Sequence, residues 1–243
     1  MLGALGDDHD HDDLRSEVDS EAAYANADVD RDFAYLRYHL SNKQGKEWKT
    51  LVDETNGAPK ILIQGKLDRE SVSKITLRCE VEIDHVPKNI VLKAISDMNI
   101  RAKWDTSLGK LEVLEFDKRN DFFYVKADMS VPQHMQEREA VLVRKIMRDF
   151  PDNNKSTIVQ RSVEHALCPI NPSKSVRADL EMNGMIIEDD LSLRGTKISW
   201  ILVSDLNGCL PTSLLVSEHV NYQKKFIHGL IKASSQIAKG QLK

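Results

Sequence analysis

The sequence predicts an α+β domain in which one long antiparallel sheet curls against a C-terminal helix. Three observations carry this expectation. Residues 74–84 alternate strictly, with Ile75, Leu77, Cys79, Val81 and Ile83 on one side and Lys74, Thr76, Arg78, Glu80, Glu82 and Asp84 on the other. That period of two marks a half-buried antiparallel strand. Strand-like segments then follow one another to about residue 204 with only one helical stretch among them. Finally, Val216, Val220, Ile227, Leu230, Ile231 and Ile237 recur at helical spacing after the helix start Pro211-Thr212-Ser213. A sheet of roughly eight strands must curl, and its concave face needs a cover. Only the last helix is long enough to provide one.

Along the chain, residues 1–20 are dense in acids and poor in large apolar side chains, so they are expected to be disordered alone. Phe33, Leu36, Tyr38 and Leu40 predict a short helix leading to Trp48, and the apolar run Lys60 to Gln64 predicts a strand ending at Gly65. Pro87 opens a helix carrying Ile90, Val91, Ala94, Ile95 and Met98, at a position where its missing N–H does no harm. After Trp104-Asp105, strands are predicted at about 110–117, 121–131, 139–147, 156–166, 176–188 and 195–204. They are broken at Asn120-Asp121, Pro132, Pro151 to Asn154, Pro169 to Ser173, and Gly195. There is no internal repeat.

Composition narrows the function classes. At 243 residues and 41% hydrophobic content the chain can bury one substantial core. No stretch reaches the ~18 consecutive apolar residues of a membrane span, and the N-terminus lacks the basic and apolar regions of a secretory signal. Cys79, Cys168 and Cys209 are far apart and odd in number, the pattern of reduced thiols rather than a disulfide framework. A cytoplasmic protein is expected, with peripheral membrane contact or a place in a large assembly as variants of that expectation. The net charge of -4 hides a division: residues 1–32 hold eleven acids against Arg15 and Arg31, a net of -9, and leave +5 on the rest. So weakly basic a body does not predict nucleic-acid binding. Asp7-Asp8-His9-Asp10-His11-Asp12-Asp13 has metal-ligand chemistry but no scaffold to fix a geometry, so it reads as an acidic tail and no metal site is expected.

The segment Thr196 to Pro211, with Trp200 in Thr196-Lys197-Ile198-Ser199-Trp200, then Asp205, Gly208 and Leu210-Pro211, resembles the last strand and lid-helix start of the START (steroidogenic acute regulatory protein-related lipid-transfer) domains. Trp104-Asp105, Arg138-Glu139 (where the family usually has Arg-Asp), Arg144, Val176-Arg177-Ala178 and Gly184 follow the family's order. The resemblance covers about residues 33–240, which leaves the acidic tail at 1–32 outside the family pattern, before a START-like domain at 33–243. It implies a helix-grip fold: a curved antiparallel sheet wrapped on a long C-terminal helix, with an internal cavity for one sterol, phospholipid or similar lipid. A bound lipid is then the expected ligand, with no cofactor.

Candidate site residues follow from both sources. In β-strand phase, Arg138, Ala140, Leu142, Arg144 and Ile146 share one face. An arginine on an apolar face needs partners, because a buried unpaired charge costs several kcal/mol. The opposite face, with Val141, Val143 and Met147, is equally apolar, so phase alone does not choose the inner side. The resemblance does, implying that Arg144 projects into the cavity, paired with an acid. Asp128 and Glu164 are the candidate partners, with Lys126 an alternative occupant of the aligned position. The resemblance also makes Val131, Pro132 and Met135 a gate loop opposite a lid carrying Val216, Val220 and Ile227. His165 reads as a satisfied core or rim histidine.

Three functions compete. The first is lipid binding, for transfer or sensing, with transient contact to a membrane surface. The second is a START fold serving as a docking subunit, with a protein partner bound through the acidic tail. The third is an enzyme; no nucleophile elbow, metal-ligand spacing or recognisable His–acid pair supports it, so no catalytic residue is expected.

Overall fold

The computed structural model describes residues 30–41, 47–67, 73–117, 122–129, 136–192, 194–208 and 211–242. Helix α1 spans 30–41. Three strands follow: β1 (Lys49–Glu54), β2 (Lys60–Leu67) and β3 (Lys74–Ile83). Helices α2 (Lys88–Ser96) and α3 (Met98–Trp104) precede β4 (Leu108–Asp117), β5 (Phe122–Met129), β6 (Arg138–Met147) and β7 (Lys155–Ser162). Then come β8 (Val176–Arg177), β9 (Asp179–Asp190), β10 (Gly195–Asp205) and the long helix α4 (Thr212–Ala238).

All strands join one sheet in the order β1-β2-β3-β10-β9-β7-β6-β5-β4, with β8 paired to β6. The predicted continuous sheet under a terminal helix is therefore present, with one parallel contact, Arg138 to Val176, where the chain changes course before β9. Four elements depart from the sequence expectation, the first being the strand expected at 176–188, which is split into β8, paired to β6, and β9. The helix after Pro87 is two helices, because the Asp97 carboxylate accepts from the Asn99 and Ile100 amides at 3.0 and 3.2 Å and caps a new start. Strand β7 ends at Ser162 instead of 166, and β1 had no clear alternation to reveal it.

Pairing fixes which residues face α4. Trp200 lies opposite Cys79 and Met185, and all three belong to the main buried cluster with Ile146, Ile158, Phe226, Ile227 and Leu230. Phe226 of α4 packs between Trp104 and Trp200, with ring centroids 5.3 and 5.0 Å away. A second cluster continues along the same concave face through Leu77, Ala140, Leu142, Leu180, Leu202 and Leu215. The convex face is not left to solvent: Leu36 of α1 is buried on Val159, Met182, Ile201 and Val203. Gly184 makes that contact fit, since a Cβ there would stand 2.8 Å from a Leu36 methyl. The polar side of β3 is covered too: the Arg78 guanidinium stacks 4.7 Å from the Trp48 ring, so Arg78 is buried rather than exposed.

Candidate functional site

The concave face carries a polar row inside an apolar wall. Arg144 on β6 pairs in register with Gln160 on β7, which pairs with Asn183 on β9. Side chains of paired residues point the same way, so the three stand side by side facing α4. Arg144 is 1% exposed, and its guanidinium donates to the Ile95 carbonyl at 2.9 Å and to the Met98 sulfur at 3.2 Å. Asn183 accepts from the Trp200 indole N–H at 2.7 Å through Oδ1. Gln160, between Arg144 and Asn183, is half-buried, and Asn183 is 4% exposed.

Two internal voids of about 10 and 20 Å³ lie against this row. Both touch Arg101, Arg144, Gln160, Asn183 and Tyr222; one extends to Trp200 and Phe226, the other to Leu108, Leu111, Leu142 and Leu180. Each has room for about one water. Arg101 is neutralised locally by Asp105, 2.9 Å away, and its guanidinium lies 5.4 Å from the Phe226 ring centre. The Tyr222 phenol is pushed up to about 12, chiefly by burial and then by the charge of Asp105, with Arg101 and a bond to Ser107 opposing. It therefore stays protonated and can donate to a ligand oxygen at any ordinary pH.

The expected site residues divide. Leu142 lines the void beside Arg144, and Ile146 and Ile227 lie in the main cluster. Arg138 stands off the void: its guanidinium donates to the Gln136 carbonyl and, at 3.3 Å, to the Asn207 carbonyl, clamping β6 to the turn before α4. Neither expected acid meets Arg144. Asp128 pairs in register with Glu139, on the face opposite Arg144, and binds Lys126 at 3.3 Å. Glu164 is exposed and lies beyond the end of β7. Lys126 also reaches Glu139 at 3.2 Å, and Arg177 reaches it at 2.9 Å, so this charge network belongs to the convex side. Burial alone would raise Glu139, yet bonds from Arg177 and Lys126 hold it below the usual carboxylate range. His165 contacts Glu115 at 3.1 Å. Val131, Pro132 and Met135 lie outside the described residues, as does the acidic run at 7–13.

Val216 and Val220 of α4 line a separate open groove of about 1490 Å³, whose walls also include residues of β1–β3, Tyr35 and His39 of α1 and Val203 of β10. Gln160, Asn183 and Tyr222 were missed from the sequence. The available signal was phase: Gln160 and Asn183 interrupt the inward rows that include Ile158 and Met185.

Comparison with known proteins agrees with this architecture. The START domain family model matches residues 28–234. Human StAR-related lipid transfer protein 5 superposes with a TM-score of 0.72 at 21% identity, over 90% of this chain and 99% of that one. Human STARD10 gives 0.69 at 16% identity, over 84% and 80%. A STAR-related lipid transfer protein fragment from Xanthomonas axonopodis gives 0.62 at 18%, over 79% and all of that chain. No curated protein sequence matches significantly. The family match spans most of the chain, and the fold is that of the solved relatives: the chain belongs to the START domain family.

Proposed function

We propose that the protein binds one lipid between its concave sheet and α4, without chemistry, for transfer between membranes or for sensing. The single observation that carries this is the row Arg144–Gln160–Asn183, polar groups set side by side in an apolar wall. An interior built only for stability gains little from such a row, because polar groups taken from water cost free energy unless hydrogen-bonded. A lipid head satisfies them, with its tail along Leu108, Leu111, Leu142 and Leu180. Family membership supports the same reading, and human StAR-related lipid transfer protein 5 is a lipid transfer protein by name.

Lipid uptake requires the interior to widen, since voids of about 10 and 20 Å³ are far below a lipid's volume. That contraction is also the observation favouring a second reading, a START fold kept as a docking subunit whose acidic tail holds a partner. Incubation with mixed-lipid vesicles, followed by mass spectrometry of the re-isolated protein, separates the two. The lipid reading expects one lipid per chain and a loss of roughly 10–100-fold in affinity for Arg144→Leu, the worth of a charge-assisted bond. No lipid in the wild type, together with release from a complex on deletion of residues 1–29, establishes docking instead.

A further inference from the structure

The geometry points to a second ligand-contact subsite, between α4 and β3, where His219 and Gln223 bind one neutral oxygen, the hydroxyl of a lipid. This rests on the lipid-binding reading but uses residues distant in sequence and strand from the Arg144 row. His219 and Gln223 are one turn apart on α4, hence on one face. They are 4% and 0% exposed, and the Nε2 of each has no hydrogen-bond partner among the described residues. The Gln223 Oε1 is already used, accepting from the Cys79 thiol at 3.5 Å, so what remains is the amide N–H₂ beside the imidazole nitrogen. Two orphaned polar nitrogens on adjacent turns of a buried helix face are costly without a shared partner.

The open groove runs beside them on the same helix. Val216 and Val220, which line it, precede His219 and Gln223 by three residues, so the two rows are neighbours on α4. Opposite, Ile75 lines the groove and Cys79 meets Gln223. Four residues of strand separate them, about 13 Å at the usual rise. A ligand entering from the groove would reach His219 and Gln223 by passing between α4 and the inward face of β3, beyond Ile75 and Val220. The groove wall mixes apolar Leu51, Leu67 and Val216 with charged Lys49, Lys66 and Lys74. The ligand atom is neutral for two reasons. Burial holds the imidazole uncharged, with a value near 4, so no cation awaits an anion. The charge of Asp205, which acts on the same imidazole, repels a phosphate or carboxylate.

The test compares uptake from phosphatidylcholine vesicles carrying cholesterol or cholestene (the same rings without the hydroxyl), and diacylglycerol or triacylglycerol. Wild type, His219→Leu, Gln223→Met and the double variant are compared, with the Tm of each lipid-free protein measured alongside. The expected wild type favours the hydroxyl-bearing member of at least one pair by about tenfold, the worth of one to two neutral hydrogen bonds. The double variant loses that preference while its lipid-free Tm stays level or rises, because orphaned polar groups have been removed. A preference that survives in the double variant overturns the subsite. So does a Tm lowered by several degrees or a failure to fold, either of which makes the pair structural, satisfied by internal water. Uptake without discrimination by the wild type defeats the subsite alone, whereas no uptake of any lipid defeats the lipid reading as well.

Discussion

A buried arginine surrounded by leucines and a tryptophan is held by what its neighbours give it. Arg144 takes a carbonyl from α2 and a sulfur from α3, so two helices fix the guanidinium before any ligand arrives. Glu139, one face over, is fixed by two cations, and its carboxyl is depressed. Its contribution to stability is therefore complete above the unfolded value of about 4.3 and is lost as pH falls through its lower folded value. Glu139→Gln is expected to cost about 3–5 kcal/mol at pH 7, as for a broken buried ion pair. In denaturant melts the gap to wild type should close below about pH 4; a gap independent of pH refutes the assignment. At Gly195 a Cβ would stand 2.1 Å from the Ile83 carbonyl, backbone that cannot step aside. Gly195→Ala should therefore destabilise by about 3 kcal/mol or more, read as a drop in Tm, while Gly184→Ala, which meets only side-chain atoms, costs about 1–2 kcal/mol. Residue-level function was only partly legible in the sequence. Arg144 could be placed by phase and resemblance, but its partners include a backbone carbonyl and a thioether, which no acid-seeking pattern finds. The resemblance made Asp128 a candidate partner, and β5–β6 register puts it on the other face.

At the scale of elements, α4 is the structural hinge between core and ligand space. Its C-terminal half is locked by Phe226 between two tryptophans, with Ile227, Leu230 and Ile237 behind it. Its N-terminal half runs beside the groove, with Pro211 at its N-cap and no side-chain capping bond. Phe226→Ala should cost about 3–5 kcal/mol, the range for a large aromatic removed from a packed core, seen in the unfolding midpoint; a cost under 1 kcal/mol would mean the helix is not anchored there. The helix and β3 were legible because their hydrophobic period is unbroken. Strand β1 was not, since its burial is irregular and it lies on the sheet edge. The α2–α3 break hid because the apolar spacing continues across it, and only the Asp97 cap interrupts the helix.

At the scale of the whole molecule, both faces of the sheet are covered, by α4 within and α1 without, and the described helices include none long and apolar enough to cross a membrane. The concave side also holds a histidine that folding keeps neutral. Burial lowers His219 to about 4, so the unfolded chain binds a proton there first. The neutral form's full stability holds above the unfolded value of about 6.5 and is lost progressively as pH falls toward 4, on the order of 3 kcal/mol in all. His219→Leu should flatten the stability profile across that window, and an unaltered profile would contradict the burial. The central claim is occupancy of the interior by one lipid, and native mass spectrometry of the protein purified from its own source tests it most directly. The account predicts a single non-covalent adduct of lipid mass, retained in wild type and diminished in Arg144→Leu. A bare chain mass under conditions that preserve folded charge states, unchanged after exposure to mixed-lipid vesicles, would contradict it.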